Sequence, residues 1–165
     1  MITIALSVVL GALIAFLISS LLISNVIKYN ESLIVEAPVA EVFDAIRYQD
    51  SLMQWSAWPG ETGSTCEVAN TDGEIGAQTV FINKGKRIGH QEIIDLVKNK
   101  RVSFTLVDSG PLKHIPYLDF HLEPVSENQT RVLMSFKNTY KKPFHIPARA
   151  FGIVKWVRSL HIKDL

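Results

Sequence analysis

The sequence predicts an α+β fold in which a curved antiparallel sheet of six or seven strands wraps around one long C-terminal helix. A single transmembrane helix is predicted to precede this fold. Three observations support the prediction. Residues 1–27 contain no Asp, Glu, Lys, Arg or His. From residue 77 to 140 apolar residues recur at the two-residue period of strands, and from residue 148 to 165 they recur at helical spacing.

Residues 1–28 are expected to form a single-pass membrane anchor. At 1.5 Å per residue such a helix reaches about 40 Å, more than the roughly 30 Å hydrocarbon core. A cleaved signal peptide and a buried core helix are the alternatives. The segment lacks a basic start, and its apolar run is longer than signal peptides require. Lys28 alone favours a cytoplasmic location for the remaining domain, residues 29–165.

Two sequence features predict how the anchor contacts the membrane interface and a second copy of the chain. Tyr29 is expected at the membrane interface, where aromatic residues are enriched. Small residues recur at every fourth position of the helix, a pattern that lets two transmembrane helices approach closely. They predict a homodimer through this helix, and ordinary membrane-helix composition is the alternative; the residues are Ser7, Gly11, Ala15 and Ser19.

The chain of 165 residues has 17 Lys and Arg against 16 Asp and Glu, so no nucleic-acid partner is expected. Its charges are nevertheless separated. Residues 28–82 carry two basic and nine acidic side chains, whereas residues 83–165 carry 15 basic and seven acidic ones. Residues 128–163 contain eight bases and no acid. This segment is either a solvated face balanced by the acidic half or a surface that faces anionic lipid headgroups.

Turn residues divide the soluble part into elements. A first strand over residues 30–36 precedes a short helix that begins after Pro38, and a second short helix covers residues 51–55 with Asp50 or Ser51 as its cap. A loop is expected over residues 108–116. Lys84 and Gly85 form a hairpin turn. The further strands are predicted at 65–69, 77–83, 87–97, 102–107, 117–125 and 130–140, followed by one helix over 148–165.

Four segments carry a family resemblance. They are SLIVEAPVAEVFDAI at 32–46, QWSAW at 54–58, the hairpin IGAQTVFINKGKRIGHQEI at 75–93, and the amphipathic C-terminal helix. Together they resemble the START-like, helix-grip superfamily (SRPBCC) in its polyketide cyclase/dehydrase and lipid-transport branch. Ala57 stands where the signature often has Pro. The resemblance implies a helix-grip fold with a deep hydrophobic cavity. It does not imply one activity, because the superfamily includes lipid carriers, aromatase/cyclases, hormone receptors and chaperone activators.

Side chains predicted to face the interior are candidates for lining that cavity. For each of them, ordinary core packing is the alternative, and the ligand claim rests on the resemblance. The apolar candidates are Trp55, Trp58, Phe81, Phe104, Phe120, Met134, Phe136 and Phe151.

His90 and Glu92 are the polar candidates. They share a strand face with Ile94 and Leu96, so they point into the cavity if those apolar residues do. A His and a carboxylate there would orient a ligand or act as acid and base. The opposite face carries Gln91 and Ile93, which leaves the facing of this strand open.

Three functions follow from these observations. The first is a membrane-anchored domain that binds a hydrophobic small molecule or lipid in an internal cavity. The alternatives are a polyketide cyclase/dehydratase-like enzyme and a membrane-tethered regulatory or interaction domain without ligand. The sequence contains no nucleotide-binding, hydrolase or metalloprotease motif, and no catalytic residue, cofactor or metal site is expected.

Overall fold

The computed structural model describes residues 2–108, 114 and 116–165. Most of the loop predicted over residues 108–116 therefore lies outside the described residues. In chain order the elements are α1 (Ile2–Leu22), β1 (Val26–Val35), α2 (Val39–Arg47), α3 (Gln49–Trp55), α4 (Trp58–Thr62), β2 (Thr65–Ala69), β3 (Gln78–Asn83), β4 (Lys86–Val97), β5 (Arg101–Asp108), β6 (Tyr117–Ser126), β7 (Gln129–Thr139), α5 (His145–Ala150) and α6 (Ile153–Lys163).

The strands form one seven-stranded antiparallel sheet in the order β1-β7-β6-β5-β4-β3-β2. Strands β2 to β7 follow one another as neighbours, and β1 pairs with β7 from Val26 opposite Thr139 to Val35 opposite Thr130. The helices α2, α3, α5 and α6 cover one face of the sheet, since a sheet with one apolar face needs such a cover. The predicted α+β helix-grip fold is confirmed.

The hydrophobic core lies between this sheet face and the helices. Alternate residues of each strand point into it, as the period of two predicts. Ile93, Phe104 and Met134 have no exposed surface, and α2 contributes Val42, Phe43 and Ile46.

The β3–β4 hairpin turns at the predicted dipeptide. Lys84 has φ +50° and Gly85 has φ +73°. Positive φ at both central residues is the requirement of the type I′ turn that joins two twisted strands.

Strand β1 begins at Val26, four residues before the predicted start. The predicted boundary between anchor and domain, at residues 28 and 29, therefore falls inside this strand. Tyr29 is a strand residue whose ring stacks on Phe136 with centroids 4.9 Å apart, so it does not occupy the predicted place as an interfacial anchor.

The second short helix, α3, begins at Gln49 and not at residue 51. Neither Asp50 nor Ser51 caps it. The Asp72 carboxylate accepts hydrogen bonds from the backbone N–H groups of Gln49, at 2.7 Å, and Asp50, at 3.4 Å. A carboxylate from the β2–β3 loop thus satisfies the free amides of the helix start.

The C-terminal helix predicted over residues 148–165 is interrupted. Helix α5 ends at Ala150 and α6 begins at Ile153. Between them Gly152 has φ +74°, a left-handed conformation that glycine adopts without the Cβ strain of other residues. After this break α6 follows the inner face of β1, where His161 binds Tyr29, and Ala148 of α5 packs with Ile27 and Tyr140 before it.

Helix α1 contains a 20-residue span, Thr3–Leu22, with a mean hydropathy of 2.6, and only 6% of it is buried. It is therefore not a core helix of the domain. Its length and composition suit either a membrane span or a signal sequence.

Candidate ligand cavity

An apolar cavity of about 310 Å³ lies between α6 and the inner face of the sheet. We call it the α6 cavity. Strand β1 supplies Ile27 and Tyr29, and β7 supplies Phe136 and Asn138, because alternate residues of these paired strands share the inner face. The helical wall comes from α5 and α6 through Ala148, Ile153, Val154, Trp156, Val157 and His161.

A second space of about 280 Å³ continues the α6 cavity toward β4 and β5. The two spaces share the side chains of Trp58, Leu106, His114, Pro116 and Trp156. The rings of Trp58 and Trp156 lie 5.8 Å apart, and Trp58 also contacts Phe81. Rotation of these indoles would change the width of the passage between the two spaces.

Tyr29 and His161 form the polar pair of the cavity wall. The hydroxyl oxygen of Tyr29 lies 2.8 Å from His161 Nδ1. Burial lowers the pKa of His161 to about 4, so the imidazole is neutral at pH 7. Burial also raises the pKa of Tyr29, with smaller effects from the charges of Arg158 and Glu31. Both groups are therefore uncharged, and the wall stays compatible with an apolar ligand.

Other polar atoms of this interior lack partners in the described part of the chain. They are Trp58 Nε1, Gln91 Nε2 and Asn138 Oδ1. Trp58 and Asn138 line the α6 cavity, and Gln91 lines a small space of about 20 Å³ beside Trp58 and His161. A buried donor or acceptor without a partner is costly, so these atoms offer hydrogen bonds to a ligand or to water.

Glu31 and Arg158, beside the cavity, neutralise each other. Glu31 points to the inner face of β1, and its Oε1 lies 2.6 Å from Arg158 Nη2 on α6. The Arg158 guanidinium also lies 5.6 Å from the centre of the Tyr29 ring. This pair holds α6 against β1 outside the α6 cavity itself.

A separate cleft of about 450 Å³ opens at the other end of β1. Leu33, Val35, Trp55 and Phe120 line it together with the C-terminal residues Asp164 and Leu165. Burial raises the pKa of Asp164, although its carboxylate accepts hydrogen bonds from Ala57 N–H and the Ser56 hydroxyl.

The predicted cavity residues occupy four kinds of place. Trp58 and Phe136 line the α6 cavity, and Phe81 lines its continuation. Trp55 and Phe120 line the distal cleft. Phe104 and Met134 are fully buried and line none of these spaces. Phe151 is 81% exposed, because it lies at the turn between α5 and α6, where the predicted helix is broken.

His90 and Glu92 lie on the outer face of β4. The inner face before residue 94 carries Gly89, Gln91 and Ile93, which are buried. A β-bulge between Ile93 and Asp95 shifts the alternation, so that Leu96 also packs against the core. The inward direction of Leu96 therefore does not indicate that His90 and Glu92, which precede the bulge, point inward. His90 Nε2 lies 3.7 Å from a carboxylate oxygen of Glu92. The same oxygen accepts a hydrogen bond from the Gln78 amide. His90 also borders the continuation of the α6 cavity.

Most residues that line the α6 cavity were not among the sequence candidates, and these include Tyr29, Trp156 and His161. The alternation of Ile27, Tyr29, Glu31 and Leu33 contained the signal for Tyr29, but the strand was predicted to begin after it. His161 and Trp156 are on α6, within the C-terminal helix that the sequence predicts only as amphipathic.

The family model for "Activator of Hsp90 ATPase homolog 1-like protein" matches residues 36–153, well over half of the chain. The chain belongs to this Hsp90-activator-like family. The predicted membership of the START-like, helix-grip superfamily is thereby confirmed, and the match runs from the end of β1 to the first residue of α6. No curated protein matches the chain in sequence.

Solved structures share the fold of this Hsp90-activator-like chain. Norcoclaurine synthase from Thalictrum flavum, in complex with a transition-state analogue, has a TM-score of 0.58 at 12% identity, covering 84% of this chain and 91% of the other. The Aha1 dimer from Colwellia psychrerythraea has a TM-score of 0.52 at 23% identity, covering 84% and 94%. An HSP90 activator from Plasmodium falciparum has a TM-score of 0.50 at 15% identity, covering 68% and 73%. At these identities the likeness concerns the fold alone.

Proposed function

We propose that this protein is a membrane-anchored START-like domain that binds a hydrophobic small molecule or lipid in the α6 cavity. Helix α1 is the anchor in this proposal, and the domain lies on the cytoplasmic side. The observation that carries the proposal is the apolar cavity of about 310 Å³ beneath α6 with its continuation of about 280 Å³. Together these spaces fall within the range of roughly 300–1,000 Å³ typical of small-molecule sites.

The wall chemistry supports an amphiphilic ligand. Most of the wall is aliphatic or aromatic, and the Tyr29–His161 pair is uncharged. The unpartnered Trp58 Nε1 supplies a donor and Asn138 Oδ1 an acceptor. A ligand with an apolar body and one hydroxyl or carbonyl group would pack against the apolar wall and form a hydrogen bond with one of these atoms.

The two alternatives have different support. A cyclase or dehydratase-like enzyme has less support, because Glu92 lies on the outer face of β4 and His90 only borders the continuation of the α6 cavity. An interaction domain is the second candidate function. The family favours it, since an HSP90 activator and an Aha1 dimer are among the structures that share the fold. A homodimer through α1 would be compatible with either function.

Native mass spectrometry of the full chain tests the proposal. The protein is purified in a mild detergent, the micelle is removed in the instrument, and retained molecules are identified by fragmentation. We expect one defined hydrophobic molecule at near-stoichiometric occupancy. Val154→Trp fills the cavity from α6 and is expected to abolish retention, whereas Ile162→Trp on the exposed side of the same helix preserves it.

The matched pair separates cavity ligands from lipids that surround α1. Equal retention by both variants would assign the bound molecule to the anchor helix and contradict the proposal. A protein that retains nothing and takes up nothing from a total lipid extract would favour the interaction domain.

A further inference from the structure

We infer that the α5–α6 junction docks on the leaflet in which α1 ends, so that the mouth of the α6 cavity opens onto the membrane. The docking surface consists of four exposed apolar side chains, Phe144, Phe151, Ile153 and Trp156, and four basic ones, Lys141, Lys142, Arg149 and Lys155. We call it the mouth patch. This inference rests on the proposed role of α1 as a membrane anchor.

The end of α1 is fixed to the edge of the mouth patch. Helix α1 ends at Leu22, and Lys142 Nζ donates a hydrogen bond to the carbonyl of Leu21 at 3.3 Å. Arg149 Nη2 donates to the carbonyls of Ser24 and Val26, each at 3.2 Å. Two bases of the patch therefore bind the backbone at the point where the predicted span leaves the hydrocarbon.

The strand pairing places the cavity mouth at the same end of the domain. Asn25 and Tyr140 are joined by two hydrogen bonds, Asn25 Nδ2 to the Tyr140 carbonyl at 2.8 Å and Tyr140 N–H to the Asn25 carbonyl at 3.0 Å. Phe144, Ile153 and Trp156 belong both to the patch and to the lining of the α6 cavity. The chain segments that follow α1 and that precede the cavity mouth are therefore bound to each other, so the mouth lies next to the end of α1.

The course of α6 shows that the distal cleft lies away from this end. Val154 packs beside Ile27 and Tyr140, and His161 binds Tyr29. Leu165 reaches Leu33 and Val35 in the distal cleft. At about 3.3 Å per strand residue, Leu33 is roughly 20 Å farther along β1 than Ile27. Docking at the α1 end therefore involves the α6 cavity and leaves the distal cleft in water.

The chemistry of the mouth patch matches an anionic leaflet. Among the described residues after α1, Phe151 is the most exposed large apolar residue, at 81%, and the other three apolar residues of the patch are each exposed by about 40% or more. Within the described residues, none of the four bases is paired with a carboxylate, and residues 128–163 contain no acid. Exposed aromatic residues beside unpaired bases are typical of surfaces that lie in the headgroup region. A lipid would enter the cavity there without crossing bulk water.

Spin-label depth measurements on the full chain test the docking. In a Cys66→Ser background, single cysteines are placed by Ile14→Cys in α1, Phe151→Cys in the mouth patch and Asn128→Cys at the distal β6–β7 turn. The protein is reconstituted in vesicles of phosphatidylcholine and phosphatidylglycerol, and each label is exposed to oxygen and to a water-soluble nickel chelate. We expect the labels at 14 and 151 to be protected from the chelate and the label at 128 to be accessible.

The three labels separate the failure of docking from the failure of anchoring. A label at 151 that is as accessible as the one at 128, while the label at 14 is protected, overturns the docking and leaves α1 a membrane span. An accessible label at 14 overturns the anchor and, with it, this inference.

A charge-matched pair of variants tests the choice of anionic lipid. Lys141→Gln with Lys155→Gln removes two patch charges that bind no backbone carbonyl. Each base near an anionic surface strengthens binding to that surface by about fivefold. The ratio of docked to undocked domain is therefore expected to fall on the order of 25-fold when two bases are removed. Lys98→Gln with Lys100→Gln, at the β4–β5 turn, is the control and is expected to change nothing. Equal behaviour of the two pairs would overturn the role assigned to the patch charges.

Discussion

The hydroxyl of Tyr29 lies 2.8 Å from Nδ1 of His161, so that one hydrogen bond joins the first strand to the last helix inside the cavity wall. Both rings also contact the ring of Phe136. Its centroid lies 4.9 Å from that of Tyr29 on β1 and 5.0 Å from that of His161 on α6. This cluster fixes the position of α6 over the sheet. It thereby sets the width of the α6 cavity.

Tyr29→Phe is expected to lower the free energy of unfolding by about 1–3 kcal/mol, because it leaves a buried imidazole nitrogen without its partner. Denaturant unfolding of the full chain in detergent micelles measures this change. Tyr117→Phe is the matched control. That residue is exposed and its hydroxyl bonds to no described residue, so a change within about 0.5 kcal/mol is expected. Equal losses in both variants would show that the bond contributes nothing.

Acid is expected to destabilise the protein through His161. Burial lowers its pKa to about 4 from the usual 6.5, so between these values the unfolded chain binds a proton that the folded chain does not. Stability therefore falls as the pH drops from about 6.5 to about 4, by about 3 kcal/mol, and this contribution is fully present above that window. The pH dependence of unfolding should be shallower in His161→Gln. A histidine NMR resonance that is absent in this variant and titrates near 6.5 in the wild type would contradict the prediction.

Phe104 and Phe151 were equivalent cavity candidates in the sequence, and the structure separates them. Phe104 has no exposed surface and packs edge-on against Phe120, whereas Phe151 is 81% exposed. Phe104→Ala is expected to cost about 3–5 kcal/mol through the cavity it leaves, and Phe151→Ala less than about 0.5 kcal/mol. Thermal unfolding of the two variants in parallel checks this difference. A large loss for Phe151→Ala would place its ring in the packed interior.

The strand register of β4 shows why some of the site could not be predicted. The two-residue period correctly predicted the strands and the inward facing of Phe104, Phe120 and Phe136. It left the facing of His90 and Glu92 open, and the bulge between Ile93 and Asp95 explains why Leu96 does not indicate it, because the phase of the alternation changes within one strand. A bulge depends on pairing with the neighbouring strand, and the sequence of one strand does not reveal it.

The interruption before α6 has a local cause that the sequence did contain. Residues 148–165 have apolar residues at helical spacing, which predicts one helix, but Gly152 within this range is itself a stop signal. Its φ of +74° places it in the left-handed region, where glycines commonly end helices. Phe151 is exposed as a result, and α6 is free to take its own direction along β1.

Gly152→Ala is therefore expected to destabilise the protein by about 1 kcal/mol. A Cβ at this position meets no atom within 4 Å, so the cost comes from the left-handed backbone and not from a clash. Gly60→Ala is the control, because a Cβ there also meets no atom within 4 Å and its φ is not in the left-handed region. Without a strained backbone, that change is expected to be neutral or slightly stabilising, since alanine restricts the unfolded chain. Denaturant unfolding of both variants checks the pair. A Gly152→Ala variant as stable as the wild type would mean that α5 and α6 can form one continuous helix without loss of the contacts that α6 makes with β1.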